Sequence, residues 1–438
     1  MNVSKRVLIL SFMLLIAVQL VSCEITTPAP TVTVITLPSL THSVTSTSTE
    51  PSTPSFTPSP IATSLPISSP PDGLRMAYVF DGNLYFQNGG KPPLQLTRGG
   101  EDWQAIAFSE GVNKILFFRG MVSQEIYSIN VDGSKEQALI TNNQLLKFGT
   151  GYDKSTTPCD PVLVPHTQFL LFSTCSHPDE YTTIRNSDLF IANTDTNIVK
   201  VLFPRGQGGK FYISPDGNML AIDRQNSIDI LDINGKLIHR KIATYPRSEP
   251  ISVSALLYWA SDSSALILAL PINTIYDTSQ PPTYAIWRYS PSNNSTVQVN
   301  LDPPPMSNEK NWISPDGHWI TYINFNEGFF IGNLQQGETQ PYPNPSLPHE
   351  WSPDSTHFVY ETFSYGKLVL YLASVNAPPA LIGEGEFLGW LDASKYLYYT
   401  EKTFIVGEIG KEPMPILVGN THPLFPGHPD GFIFTYQP

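Results

Sequence analysis

From residue 73 onward, apolar residues alternate with polar ones in short runs, and the runs end at Gly, Asp, Asn or Pro. A period of two is typical of β-strands, because successive side chains point to opposite faces of a sheet. No long stretch shows the spacing of three and four that indicates an amphipathic helix. The pattern therefore predicts an all-β domain over residues 73 to 438.

One turn motif recurs along this domain, with an apolar residue before a Ser-Pro-Asp-Gly-like turn and an apolar run after it. The clearest copies are ISPDGNMLAI (Ile213 to Ile222), ISPDGHWITY (Ile313 to Tyr322) and WSPDSTHFVY (Trp351 to Tyr360). Asp and Gly enter turn conformations that strain other residues, and Pro presets its own backbone angle. Degenerate copies begin at Phe108, Leu163, Trp259, Trp390 and Gly427, which brings the total to eight.

Each copy except the last is followed by a second pair of short predicted strands, as in EIYSINVDGSKEQALIT from Glu125 to Thr141. One further pair, Asn83 to Thr97, precedes the first copy, and the final hairpin at 424 to 436 has none after it. The arrangement resembles the TolB-like and WD-type β-propeller repeats, in which each blade is a four-stranded antiparallel sheet. The resemblance implies eight blades, or seven if two degenerate copies are insertions, in a ring closed by strands from both ends of the domain.

Three tryptophans, Trp259, Trp351 and Trp390, occupy the same repeat position, directly before the turn. A large flat side chain there can fill the wedge between neighbouring blades. We therefore predict that these tryptophans are packing residues, with a role in binding as the alternative.

The first 23 residues resemble a bacterial lipoprotein signal peptide. Lys5 and Arg6 precede an apolar segment from Val7 to Leu20, and the sequence Leu-Val-Ser-Cys ends at Cys23. The segment is shorter than the roughly 20 apolar residues that span a membrane as a helix. The resemblance implies that residues 1–22 are removed and that Cys23 carries a lipid, which anchors the chain outside the cytoplasmic membrane of a bacterium. An ordinary secreted protein cleaved near residue 23 is the alternative.

Composition changes abruptly after Cys23. Between Glu24 and Asp72, 32 of 49 residues are Thr, Ser or Pro, and none is Lys or Arg. Such a segment buries too little apolar surface to offset the entropy of ordering it. We expect residues 23–72 to form a disordered stalk behind the lipidated cysteine.

The two remaining cysteines, Cys159 and Cys175, flank one predicted hairpin whose turn centres near Thr167. A register that pairs the strands symmetrically about this turn places the two thiols opposite each other. We predict a disulfide between them, in keeping with an oxidising compartment. Two free or metal-binding thiols are the alternative.

The chain carries 25 Lys and Arg against 38 Asp and Glu, a formal net charge of −13. This excess of negative charge argues against nucleic acid or anionic lipid as the main partner. The catalytic motifs G-x-S-x-G, H-E-x-x-H and C-x-x-C are absent from the sequence, as is a glycine-rich phosphate loop. The sequence accordingly predicts no cofactor, no metal and no catalytic residue.

Loop lengths give the best indication of a site. In the resembled family the Ser-Pro-Asp-Gly turns share one face, and the long segments 142–158, 176–187, 243–253, 272–283 and 301–310 share the other. Long loops on a rigid scaffold commonly carry recognition, although sequence drift in unconstrained loops also produces them. The candidate ligand-binding residues are Tyr152, Asp153, Lys154, Asp179, Glu180, Tyr181, Arg185, Tyr245, Arg247, Tyr276 and Asp277.

Two function classes follow from these features. The first is a lipid-anchored, extracytoplasmic propeller that binds a protein, peptide or glycan as a scaffold, receptor or sensor. The second is a glycan-active lyase or hydrolase whose site is gathered from several blades at the mouth of the channel. Two close carboxylates, or a His and a Tyr converging on a cleft, would favour the enzyme.

Overall fold

The computed structural model describes residues 69–120, 124–149, 151–179, 182–246, 254–272, 282–306, 313–342, 347–364, 366–400, 403–416, 418 and 432–436. Within these ranges, strands form eight antiparallel sheets that are the blades of a β-propeller. The expected all-β fold with eight blades is therefore confirmed. Residues 1–22, Cys23 and most of the Thr/Ser/Pro-rich segment lie outside the described ranges.

The first four blades follow one another along the chain. Blade 1 begins with β1 (Leu74–Phe80), β2 (Asn83–Asn88) and β3 (Leu94–Gln95). Blade 2 contains β4 (Asp102–Phe108), β5 (Lys114–Arg119), β6 (Glu125–Asn130) and β7 (Gln137–Ile140). Blade 3 contains β8 (Thr156–Leu163), β9 (Phe169–Ser176), the short β10 (Ile184–Arg185), β11 (Leu189–Asn193) and β12 (Val199–Phe203). Blade 4 contains β13 (Lys210–Ile213), β14 (Met219–Asp223), β15 (Ser227–Asp232) and β16 (Leu237–Thr244).

The last four blades repeat this order. Blade 5 contains β17 (Leu256–Trp259), β18 (Leu266–Pro271), β19 (Tyr284–Ser290) and β20 (Ser295–Val299). Blade 6 contains β21 (Trp319–Asn324), β22 (Gly328–Asn333) and β23 (Thr339–Tyr342), preceded by a single bridge from Ile313 to Ile320. Blade 7 contains β24 (Leu347–Trp351), β25 (His357–Ser364), β26 (Lys367–Ser374) and β27 (Ala377–Glu384). Blade 8 contains β28 (Glu386–Trp390), β29 (Lys395–Thr400), β30 (Thr403–Glu408) and β31 (Met414–Ile416).

The ring is closed by the C-terminal strand β32 (Ile433–Tyr436), which pairs with β1 and completes blade 1. Leu74 lies opposite Tyr436 and Ala77 lies opposite Ile433 in this ladder. Closure by strands from both ends of the domain is therefore confirmed. The apolar run of the copy at Gly427 forms β32, the first strand of blade 1, and β1 forms the second strand, whereas in the other copies the run after the turn is the second strand.

The hydrophobic core lies between the blades. Eight clusters of buried side chains are present among the described residues, and each combines residues from two adjacent blades. One of them joins Leu74 and Met76 of blade 1 to Leu397 and Phe404 of blade 8. The middle strands are consequently buried on both faces, as β18 shows, whereas outer strands such as β16 are largely exposed. Burial on both faces explains why many second and third strands are almost continuously apolar.

The three repeat-position tryptophans are buried, which confirms their packing role. Each belongs to a cluster shared with the preceding blade. The indole Nε1 of Trp259 donates to the carbonyl oxygen of Tyr212 at 3.1 Å, and that of Trp390 donates to the carbonyl oxygen of Glu350 at 3.2 Å. These two indoles therefore link the first strands of adjacent blades.

The Ser-Pro-Asp-Gly turns are also joined from blade to blade. Ser263 Oγ accepts from the Asp216 amide, and Ser355 Oγ accepts from the Asp316 amide, both at 3.0 Å. Between these contacts, the Ser261 amide donates to the carbonyl oxygen of Pro315 at 2.6 Å. A continuous chain of turn contacts thus runs across blades 4 to 7.

Helical structure is confined to a few turns. The single α-helix of the described residues, α1 (Asn142–Leu145), lies between blades 2 and 3. Its N-cap Thr141 and Gln144 form a reciprocal capping box. Across the described ranges, no helix has the length and apolar character needed to cross a membrane.

Candidate functional site

A cavity of about 910 Å³ opens among blades 3 to 6. The first strands of these blades contribute Val162, Lys210, Tyr212, Leu256, Tyr258 and Ile313 to its walls. The first strands surround the central channel of a propeller, so the cavity belongs to the channel and to its mouth. In the described part of the chain, its charged lining residues are Asp160, Arg185, Lys210 and Asp223.

Asp160 and Arg185 form an ion pair at the cavity. Arg185 Nε donates to Asp160 Oδ2 at 2.8 Å, and Arg185 Nη2 donates to Asp160 Oδ1 at 2.9 Å. These hydrogen bonds lower the pKa of Asp160 and raise the pKa of Arg185. Two parallel bonds fix the relative orientation of the two groups, which a single contact would leave free.

The neighbouring disulfide helps to position this pair. Cys159 and Cys175 are joined, with their Cα atoms 5.8 Å apart. Cys175 lies opposite Arg185 in the β9–β10 ladder, and Cys159 directly precedes Asp160 in β8. The disulfide therefore joins β8, which carries Asp160, to β9, the strand that pairs with β10 and Arg185.

The register of this hairpin differs from the predicted one. Cys175 lies opposite Thr157, and Cys159 lies opposite Ser173, so the two cysteines are diagonal neighbours rather than direct partners. A bulge between Cys159 and Val162 shifts the pairing, and Asp160 within it has a φ of 50°. Bulges redirect side chains, and this one lies where Asp160 meets Arg185.

Lys210 and Tyr212 lie on the first strand of blade 4. Lys210 Nζ lies 5.3 Å from the centroid of the Tyr212 ring. The Tyr212 hydroxyl donates to the carbonyl oxygen of Ala255 at 3.4 Å, and the Tyr212 carbonyl accepts from Trp259. Contacts at both its backbone and its hydroxyl thus hold Tyr212 in the cavity wall.

Asp223 is a buried carboxylate at the end of β14. It accepts from the Tyr245 hydroxyl at 2.6 Å and from the Gln225 amide at 2.9 Å. Burial raises the pKa of Asp223, while the Tyr245 hydroxyl and nearby Lys210 oppose that effect. Asp223 and Lys210 are also cross-strand partners in the β13–β14 ladder.

The structure brings few of the predicted loop residues to this cavity. Arg185 lines it, and Tyr245 contacts it through Asp223. Tyr152 and Tyr245 are buried, with 8% and 7% of their surface exposed, and their rings pack in blade-to-blade clusters. Burial and the nearby Asp188 carboxylate raise the pKa of Tyr152 to about 12.

The other described candidates lie on exposed turns. Asp153 accepts from the amide and hydroxyl of Ser155, and Asp179 does so from those of Thr182. Both carboxylates therefore stabilise their own turns, and Lys154 is exposed beside Asp153. The remaining candidates lie outside the described residues: Glu180, Tyr181, Arg247, Tyr276 and Asp277.

Sequence reasoning missed Asp160, Lys210, Tyr212, Asp223 and Tyr258. One signal was present, because Tyr212 and Tyr258 both directly precede the first residue of a repeat motif. Equivalent positions on adjacent first strands face the same channel, so the repeat alignment predicts that the two rings lie on one wall. Asp160 carries no such signal, since its position depends on the bulge.

Two features bear on the choice between a binding site and an enzyme. Among the described residues that line the cavity, none is a histidine. Throughout the described ranges, no group of three or more His, Cys, Asp or Glu side chains is arranged to hold a metal ion. The lining carboxylates, Asp160 and Asp223, each accept hydrogen bonds from a neighbouring side chain.

No protein-family model and no curated protein sequence matches this chain. Solved structures are similar to it at low identity. An oligogalacturonate lyase in complex with manganese has a TM-score of 0.46 and 14% identity, over 67% of this chain and 82% of that one. TolB from Acinetobacter baumannii has a TM-score of 0.32 and 14% identity, over 69% and 61% of the two chains. A puromycin hydrolase has a TM-score of 0.44 and 13% identity, over 82% and 61%. At such low similarity, neither a ligand nor a reaction of these proteins is assigned to this chain, because propellers host unrelated activities.

Proposed function

We propose that this protein is a lipid-anchored, extracytoplasmic binding module whose propeller takes a protein, peptide or glycan ligand at the channel cavity. One observation carries the proposal: the cavity combines apolar walls with oriented polar groups. Its volume of about 910 Å³ falls within the roughly 300–1,000 Å³ typical of ligand sites. Such sites are mostly apolar, with a few placed polar groups that orient the ligand.

The anchored location rests on the sequence alone. A signal segment that ends at Cys23 and a Thr/Ser/Pro-rich segment after it support a propeller held away from a membrane surface. A disulfide between Cys159 and Cys175 is compatible with that compartment, since disulfides persist in oxidising environments.

The cavity favours binding over catalysis. A glycan-active enzyme needs an acid and a base, or a nucleophile, directed at the substrate. Here Arg185 occupies both oxygens of Asp160, and Tyr245 and the Gln225 amide both donate to Asp223 Oδ1. Both carboxylates therefore serve to orient neighbouring groups.

A cavity-filling substitution tests the proposal. Val162 lines the cavity and is 44% exposed, so Val162→Trp fills space with little effect on the core. Val297→Trp is the matched control, because Val297 is 61% exposed on the outer strand of blade 5. Full-length protein in detergent is screened against immobilised peptides and glycans.

We expect the ligands of the wild-type protein to bind about tenfold more weakly to Val162→Trp, a loss of about 1.4 kcal/mol, and equally to Val297→Trp. Equal binding to all three proteins would place the ligand elsewhere on the propeller. Cleavage of a bound ligand, followed by mass spectrometry, would identify an enzyme instead.

A further inference from the structure

We infer that the ligand of this cavity is a neutral oligosaccharide, an inference that rests on the proposed function of the cavity as a binding site. The formal charges of the four described lining residues cancel, with Asp160 and Asp223 against Arg185 and Lys210. The described part of the lining thus offers no excess counter-charge, although the whole chain is strongly acidic.

Such a site should bind a charged ligand weakly. Removing an ion from water costs several kcal/mol unless an opposite charge compensates for it. Two N–H groups of Arg185 already donate to Asp160, and Lys210 is the cross-strand partner of Asp223. A charged ligand that pairs with Arg185 or with Asp160 must therefore disrupt their ion pair, whereas a neutral ligand leaves that pair intact.

The polar groups suit hydroxyls instead. A guanidinium has five N–H donors, and a carboxylate has about four acceptor positions, so the paired groups keep unused capacity of both kinds. Ser254, Gln225 and Thr183 also line the cavity and add neutral donors and acceptors. A sugar hydroxyl donates and accepts at the same oxygen, which matches this mixture.

The walls suit the apolar faces of sugar rings. Tyr212 and Tyr258 occupy equivalent repeat positions on adjacent first strands, and both line the cavity while half-buried. Contacts to Ala255 and Trp259 hold Tyr212 in place before any ligand arrives. Rigid aromatic side chains provide contact area at low entropic cost.

The probes are short neutral oligosaccharides, uronic-acid oligosaccharides of the same lengths, and peptides. We expect the full-length protein to bind a neutral oligosaccharide and to bind its uronic-acid counterpart at least about tenfold more weakly. Tyr258→Leu keeps an apolar core residue but removes the ring, and we expect about tenfold weaker binding of the neutral ligand. The melting temperature shows whether this variant is folded.

A charge substitution in the cavity lining tests the inference through a gain of binding to the acidic oligosaccharide. Asp160→Asn leaves the lining with one excess positive charge, so we expect it to bind the uronic-acid oligosaccharide about tenfold more tightly than the wild-type protein does. Asp195→Asn is the matched control, because Asp195 is 64% exposed and pairs with Lys114 away from the cavity. It should alter neither affinity.

The outcomes distinguish failure of the neutral sugar as the ligand from failure of the cavity as the binding site. Preferred binding of peptides or uronic-acid oligosaccharides that Val162→Trp abolishes would overturn the neutral sugar and preserve the binding cavity. Binding of any probe that Val162→Trp leaves unchanged, or no binding in any class, would overturn the cavity as the binding site and the sugar with it.

Discussion

Arg185 on β10 and Asp160 on β8 share two hydrogen bonds, of 2.8 and 2.9 Å, beside the disulfide that joins β8 to β9. Their side chains are 66% and 44% exposed, so the pair contributes only about 0–1 kcal/mol to stability. The arrangement is better explained by orientation at the cavity than by folding energy. The disulfide constrains β8 relative to β9, the strand that pairs with Arg185.

Reduction of that disulfide should destabilise the propeller. The loop it closes spans 16 residues, for which a loss of about 3 kcal/mol is expected. We expect the wild-type melting temperature to fall in reductant. A Cys159→Ser/Cys175→Ser variant should begin lower and be insensitive to reductant. Two titratable thiols in denatured, unreduced protein from its native compartment would contradict the prediction.

Ring closure should be essential for stability. Truncation after residue 419 removes β32, exposes the edge of β1 and uncovers Leu74 and Met76 in the cluster shared with blade 8. Exposed edges pair with other chains, so we expect aggregation or a markedly lower melting temperature. Deletion of residues 24–68 is the control and should change the melting temperature little. Equal melting temperatures for the two deletions would mean that β32 is an appendage.

The turn contacts between blades should contribute measurably to the free energy of unfolding. Ser263→Ala removes the 3.0 Å acceptor of the Asp216 amide, and a typical hydrogen bond contributes about 0.5–1.5 kcal/mol to stability. We expect the free energy of unfolding to fall by that amount. Ser134→Ala, in an exposed turn, should cost about 0.5 kcal/mol or less. Equal losses of stability in the two variants would show that the contact between blades stabilises the protein no more than an exposed turn does.

The buried Asp223 should make stability depend on pH. Burial raises its pKa in the folded protein, so its contribution is fully present below the ordinary value of 3.8 and is lost as the pH rises through the folded-state pKa. Asp223→Asn cannot ionise. We expect the melting temperature of Asp223→Asn relative to the wild-type protein to increase between about pH 4 and about pH 7. A constant difference over that range would show that ionisation of Asp223 does not affect folding.

Lipidation should depend on Cys23. We expect Cys23→Ser to lose the label when cells are fed a radioactive fatty acid, and to leave an uncleaved precursor or a released domain. The wild-type chain should retain the label in the membrane fraction. Label retained by Cys23→Ser would exclude that cysteine as the anchor.

The sequence by itself determined the architecture, because a propeller is built from local repeats. Alternating apolar runs, turns such as Ser214 to Gly217 and the tryptophans before them report short-range constraints that each blade satisfies separately. The unmatched ends even predicted that the last strand would complete blade 1.

Only the tertiary structure showed where the cavity lies, because the residues that line it come from four blades. Asp160 contacts Arg185 because of a bulge, and Tyr152 is buried by contacts with blade 3. Neither position follows from local pattern, since both depend on how separate strands pack together.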